Sequence, residues 1–384
     1  MRAVWSGAWP RLILATIALC ALLFPMAQFN AADSLPAELS NESFRKIISD
    51  LSEPEAASRY IANNFVSNEL YFQTVIPLVR ARTKPGGVYV GVGPEQNFTY
   101  IAAFRPHMAF VIDIRRQNML ELLMYKALFE MADNRADFVS ILFSRKRPAA
   151  LGDATAVDDL LARFENTAPD DGLYTANLAS IEDRLLNEHK LSLSTEDIAG
   201  IRKIYTEFRD GGIAISINGP SGRATGITFQ HLMTAGDTQG HADPGSRHSF
   251  LATEDDYRFV RSMQQKNLVV PLVGDFSGPT AIRAVGTFVR EHGSIVNVFY
   301  MSNVTGYLDA SQRGVFFDSV RTMPLDQSST FIRAAGPPAL GKQRVPPGRL
   351  EGYFSSIVPM LEVLEEVRKG HIQFIPQDID RISY

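Results

Sequence analysis

The sequence predicts an α/β fold: three layers around a mostly parallel sheet, with a helical insertion. Three observations predict it. Short, continuously apolar runs at 88–90 (VYV), 109–113 (AFVID), 267–275 (NLVVPLVGD) and 294–302 (SIVNVFYMS) have the length of strands, and their lack of alternation says that both faces are covered. Helical spacing follows the first three of them, over 97–104, 117–132 and 279–292, and strand, helix, strand, helix is the order of parallel strands joined by crossovers. The composition of the 384 residues, 45% apolar and 21% charged, is that of a folded globular chain and excludes disorder for most of it.

The first 32 residues stand apart. Arg2 and Arg11 precede an uncharged run over 12–24, and the small residues Ala27, Ala31 and Ala32 come just before Asp33. That layout predicts a secretory signal peptide. An uncleaved N-terminal membrane anchor is the alternative, since 12–29 is about 18 residues, near the lower limit for a span. With positive charge before the segment, both readings put the folded domain outside the cytoplasm, periplasmic, secreted or membrane-tethered. Cys20 is the only cysteine, and Leu19 before it disfavours lipidation, a place that wants a small side chain. The chain past residue 32 therefore has no thiol for a disulfide, a thiolate nucleophile or a zinc-thiolate site.

Residues 33–84 read as a helical lead-in, with Leu51, Ala57, Ile61, Phe65, Leu70 and Val75 recurring at helical spacing until Lys84-Pro85-Gly86-Gly87 breaks the pattern. The α/β domain is expected over 85–335. Between its second helix and Leu268 lie roughly 135 residues, far more than a connection needs, so a helical insertion is expected at about 145–210, with helices over 178–191 and 195–209. Residues 213–217 read as one more strand, 218–223 (NGPSGR) as a turn, and 254–266 as a helix entering the 267–275 strand. Residues 316–321 and 330–334 read as β segments. Over 336–384 a Pro/Gly-rich loop at 336–348 precedes a last helix at about 352–369.

The best chemical signal is the first strand-turn-helix unit. Gly91 and Gly93 end a strand and open a helix, where a backbone without side chains can approach a ligand and unpaired N–H groups face it, and Asp113 ends the next strand about 20 residues on, where a carboxylate can accept both hydroxyls of a ribose. Glu95, Gln96 and Asn97 add polar groups that contact a ligand or cap the helix. Asp113 beside Arg115 and Arg116 is a ribose acceptor or one half of an ion pair. Asp275, at the end of another strand, is the first choice for a group on the substrate side.

Here the chain resembles the class I S-adenosylmethionine-dependent methyltransferases, whose first motif ends strand one and whose second is the acidic end of strand two. The resemblance runs from Val88 to Ser302, with Gly274-Asp275-Phe276 at the place of the fourth motif. It implies a Rossmann-type fold and S-adenosylmethionine as cofactor, held around Gly91, Gly93, Glu95, Asn97, Asp113 and Asp275. Tyr89 and Glu95 depart from the pattern, standing where the family has an acidic residue and a third glycine. GDFSGP at 274–279 replaces the Asn/Asp-Pro-Pro-aromatic string of amino-group methyltransferases, so no catalytic residue carries over. The strings GVGPEQNF, VIDIRR, NLVVPLVGDFSGP and STFIR are also similar to a bacterial group of exported or hypothetical proteins, methyltransferase-like and uncharacterised, which implies a fold and no activity.

Two further functions stand beside methyl transfer: a non-catalytic small-molecule or protein-binding module on the same fold, and a hydrolase using Ser277. Ser277 follows a strand and precedes a helix but lacks the Gly-x-Ser-x-Gly spacing of a nucleophile elbow. His231, Asp237, His241, Asp243 and His248 match no compact metal motif and read as a solvated loop, so no metal is expected. A net charge of −4 without a block of Lys or Arg leaves nucleic acid an unexpected partner.

Overall fold

The structure is a computed structural model that describes residues 34–54, 64–220, 226–236, 247–335 and 353–371. The expected signal or anchor segment with Cys20, the 336–348 loop, Ala57, Ile61, Asp237, His241, Asp243 and part of the 218–223 turn lie outside the described residues. No helix among those described is long and apolar enough to cross a membrane.

A six-stranded mixed sheet organises the chain, in the order β3-β2-β1-β4-β5-β6. Its strands are β1 (Val88–Gly91), β2 (Met108–Asp113), β3 (Val269–Val273), β4 (Val296–Ser302), β5 (Thr330–Ala335) and β6 (Phe354–Pro359). The first five are parallel, and β6 runs antiparallel to β5. β1 to β3 and β4 to β6 build outward in opposite directions, so a crevice at the carboxyl ends of β1 and β4 is where a doubly wound sheet takes ligands.

The two faces of the sheet are covered by different helices. Within β4, Phe299 points to the layer of α11 (Ala281–Glu291) and α12 (Ala310–Val320), meeting Phe316, while Tyr300 points to the other layer and meets Tyr100 of α3 (Gln96–Phe104). That second layer holds α3, α4 (Arg116–Met131) and α10 (Glu254–Gln265). Burial on both sides explains the unbroken apolar runs of the sequence.

The lead-in is shorter and less regular than its periodicity suggests. It forms α1 (Asn41–Leu51), capped by Ser40, and α2 (Ile76–Arg82), and between them residues 64–71 run irregularly over the carboxyl edge of the sheet. Phe65 N–H donates to the Ile217 carbonyl there, and Tyr71 stacks on Phe354 at 4.6 Å. Past α4 come α5 (Arg135–Leu142), α6 (Val157–Glu165), α7 (Asp171–Asp183), continued by one π-turn at Arg184–Glu188, α8 (Thr195–Gly211) and α9 (Phe229–Thr234). α8 packs on α4 and is tied to its first turn by Arg116, whose guanidinium donates to both carboxylate oxygens of Asp197 at 2.6 and 2.7 Å.

Three readings of the sequence are corrected. Residues 213–217 do not join the sheet: Gly212–Ala214 is one 3-10 turn and Ser216 forms a lone bridge to Thr228. Residues 316–320 belong to α12 and Arg321 caps its end, because Asp309 and Gln312 form a reciprocal capping box that starts a helix six residues before the aromatic pair Phe316-Phe317. The stretch 352–369 is the edge strand β6 followed by α13 (Met360–Arg368), not one helix.

The second layer is locked by aromatic rings from four helices and the turn before α10. Phe129 of α4 lies 5.2 Å from Phe98, 4.6 Å from Phe138, 5.8 Å from Phe250 and 5.5 Å from Tyr257, and is fully buried. Phe129→Ala is expected to cost about 3–5 kcal/mol, read as a lower urea midpoint at unchanged slope.

Candidate functional site

The glycine turn is held by its own chain. Asn97, in the first turn of α3, donates from Nδ2 to the carbonyls of Val92, Gly93 and Pro94 at 3.0, 3.0 and 2.7 Å, and its Oδ1 accepts from the Tyr89 hydroxyl at 2.8 Å. A Cβ on Gly91 would stand 2.0 Å from Asn97 Oδ1, so this glycine makes room for the staple. Gly93 differs: its φ of +81° needs glycine, and a Cβ there would meet open space. Asn97 and Tyr89, two residues that depart from or lie beside the expected motif, therefore fix the shape of the turn.

Glu95 is fully buried at the start of α3, and both of its carboxyl oxygens accept from the Ser67 N–H of the lead-in at 3.2 Å. Burial pushes its pKa up to about 8, an effect partly offset by that N–H, so at neutral pH it carries a proton. A second lead-in carboxyl, Glu69, enters the crevice between β1 and β4. It accepts from the Tyr300 hydroxyl at 2.6 Å, from the Ser302 hydroxyl and from Gln96 Nε2 at 3.3 Å. Ser302 reaches it because its backbone is left-handed, φ +51°, where the ladder between β4 and β5 is irregular. Burial raises the Glu69 pKa against the three donors.

Asp113 ends β2 as expected and is 2% exposed, but its carboxylate is engaged. Arg115 donates from Nε to Oδ1 at 2.9 Å and from Nη2 to Oδ2 at 2.8 Å, and the Arg115 N–H adds a third bond to Oδ1 at 2.9 Å. The ion-pair alternative thus describes the observed state. Asp275 lies on the far side of the sheet edge, at the end of β3, where its Oδ1 accepts from the Ser277 N–H and hydroxyl at 2.8 Å. Ser277 has a carboxylate as its hydroxyl's partner and no histidine bonded to it among the described residues, so the geometry gives a turn and no nucleophile. Glu53 of the lead-in closes this end, accepting from the N–H groups of Asp275, Thr280 and Ala281 at 2.9, 2.7 and 2.9 Å.

The sequence reading missed the face of α4 that turns toward Glu95. Asn118, Glu121 and Tyr125, spaced i, i+3 and i+7 and so on one side of the helix, are 4%, 0% and 0% exposed. Five of their polar atoms have no hydrogen-bond partner: both amide atoms of Asn118, both carboxyl oxygens of Glu121 and the Tyr125 hydroxyl. Buried polar groups are nearly always paired with protein or ordered water, and here five lie together without a protein partner. Burial above all, with the neighbouring Glu95 carboxyl adding to it wherever that group ionises, holds the Glu121 pKa well above the carboxylate range. The contrast lies at the opposite edge of the sheet, in a polar depression of about 440 Å³ beside Asn267. Its central charges are matched there: Glu130 binds Lys126 and His189, each at 2.8 Å, and Arg184 binds Glu188 at 3.0 Å. No group of His, Cys, Asp or Glu able to hold a metal occurs among the described residues; His231 serves the capping box of α9 with Thr228.

Two measurements follow from this geometry. Tyr125→Phe removes a buried hydroxyl without a protein partner and is expected to stabilise the empty protein by up to about 1 kcal/mol in urea denaturation. Because the folded pKa of Glu95, about 8, exceeds the ordinary 4.5, the native state holds a proton that the unfolded chain has lost. Its stabilising effect is complete below about pH 4.5 and is lost as the pH rises toward about 8. Glu95→Gln is expected to make the fall in stability across that window shallower by up to about 1.4 kcal/mol per pH unit.

No curated protein matches the chain. The model of one family, described as a domain of unknown function (DUF7790), matches residues 64–206 and 228–366, which take in all six strands, the α4 face and both lead-in contacts of Glu95 and Glu69. The chain belongs to that family.

Proposed function

We propose that this chain is an exported small-ligand-binding protein on a methyltransferase-like, Rossmann-type fold. Its ligand lodges at the carboxyl edge of β1 and β2, against α4. The observation that carries the reading is the set of five unpartnered polar atoms on Asn118, Glu121 and Tyr125, placed beside the switch point of the sheet. Export rests on the layout of residues 1–32.

A second reading, methyl transfer from S-adenosylmethionine, is favoured by the strand order, by the open flank of Gly93 and by Asp113 at the end of β2. It requires Arg115 to release Asp113 before a ribose can bind there, and Glu69 to share its crevice. An exported protein also meets little of a cofactor made inside the cell. These points rank it below simple binding.

Thermal-shift and calorimetric titration of the chain with S-adenosylmethionine, S-adenosylhomocysteine and a set of small polar metabolites separates the two, since a ligand of the native state must raise its stability. Binding of a metabolite that is lost in Asn118→Ala and kept in Asp113→Ala is the expected result. Binding of S-adenosylmethionine lost in Asp113→Ala would instead establish the second reading. No binding by any ligand, with only ordered water between Asn118 and Glu95 in a high-resolution crystal structure, would overturn both.

A further inference from the structure

We infer that the buried face formed by Asn118, Glu121 and Tyr125 with Glu95 recognises a protonated amino group of a small ligand. The inference rests on the binding reading above and names the chemistry of the group that enters.

Of the five unpartnered atoms, four can accept a hydrogen bond: Asn118 Oδ1, both Glu121 oxygens and the Tyr125 hydroxyl. Only the Asn118 amide nitrogen is a donor alone. The protein's own cation at this place, Arg115, already directs its guanidinium to Asp113 through two bonds. The groups that act electrostatically on Glu121 are Glu95, Asp113 and Arg115, two acids against one base, and Glu69 adds a third acid next to Glu95. Once Glu121 gives up its proton, its two oxygens only accept, and an ammonium group supplies the three N–H donors and the one positive charge that match it. A hydroxyl or neutral amide supplies donors without charge, and water supplies two.

Charge also gives the site a signature. In the empty protein burial keeps Glu95 and Glu121 protonated, because an unpaired carboxylate there is costly. An entering ammonium reverses that preference, so binding drives a proton off the site. Tyr125, the remaining titratable group facing the two carboxyls, is pushed far above neutrality by burial and stays protonated. Arg115, part-exposed and within electrostatic reach of both Glu121 and the exposed Tyr307, marks the side on which the buried face approaches solvent.

The test is calorimetry and thermal shift on the full chain with ethanolamine and putrescine, beside ethylene glycol and 1,4-butanediol, at about pH 6, 7 and 8 and in buffers of different ionisation heat. The amines are expected to stabilise the protein and the diols to leave it unchanged. Affinity is expected to rise with pH by up to about tenfold per unit for each proton released, and the heat to vary with the buffer. Glu121→Gln keeps the shape and neutrality of the empty site, so its melting temperature is expected to stay near that of the parent while amine affinity falls at least about tenfold, the loss of a charge-assisted bond. Equal response to amines and diols, or undiminished amine binding by Glu121→Gln, would overturn the inference. Binding of an uncharged metabolite that depends on Asn118 but releases no proton would overturn the amine and leave the binding site standing.

Discussion

The carboxyl edge of this protein depends on one buried carboxyl. Glu69 comes from an irregular stretch of the lead-in and lies between β1 and β4, where Tyr300, Ser302 and Gln96 all donate to it. A carboxyl taken out of water is tolerated only when neutral or fully hydrogen-bonded, so the lead-in has one register in which it can dock. In that register Ser67 presents its N–H to Glu95 and Tyr71 stacks on Phe354 of the edge strand. The same segment thereby shapes the turn after β1 and holds β6 against the sheet. Glu53 does the corresponding work at β3 by capping the start of α11. What a doubly wound sheet ordinarily leaves open at this edge is lined here by the chain's own acidic side chains.

The fold was legible where burial dominates the pattern. Strands β1 to β4 are apolar on both faces, and only a covered parallel sheet asks for VYV, AFVID or VNVFYM. The misreadings fall where pattern and packing disagree. Phe316-Phe317 and the valines around them suggest a strand, yet the capping box at Asp309 decides the element before the aromatic residues are reached. β6 is an edge strand with half-exposed residues, and its run into the apolar α13 hides the boundary, which Pro359 marks. The lead-in keeps helical spacing across Phe65 and Leu70, but both serve a chain segment that follows the sheet edge.

The site was legible in position and not in membership. Gly91, Gly93, Glu95, Asn97 and Asp113 do gather at one edge because the strand-turn-helix grammar fixes them there. Their roles are set by neighbours that spacing cannot reveal. Asn97 turns back onto three carbonyls, and Asp113 meets an arginine two residues away. Glu121 was invisible for a different reason. In a helix whose sequence runs QNMLELLMYKALFE, an isolated acid reads as part of a solvated face, and only tertiary packing, α8 on α4 and Phe98 against Tyr125, buries it.

Two sides of α4 show why burial alone does not account for this arrangement. On one side Glu130 is bonded by both Lys126 and His189, which is how a structural network becomes stable. On another side of the same helix Asn118, Glu121 and Tyr125 are buried and have no such partners. Leucine at 118 and phenylalanine at 125 would remove their share of that penalty without disturbing the helix, since replacing buried polar groups by apolar ones of similar shape is often neutral or stabilising. Breaches of local consistency of this kind concentrate at functional sites. The two sets share one helix and one aromatic layer, so what separates them is the pairing of their polar groups and not their place in the core.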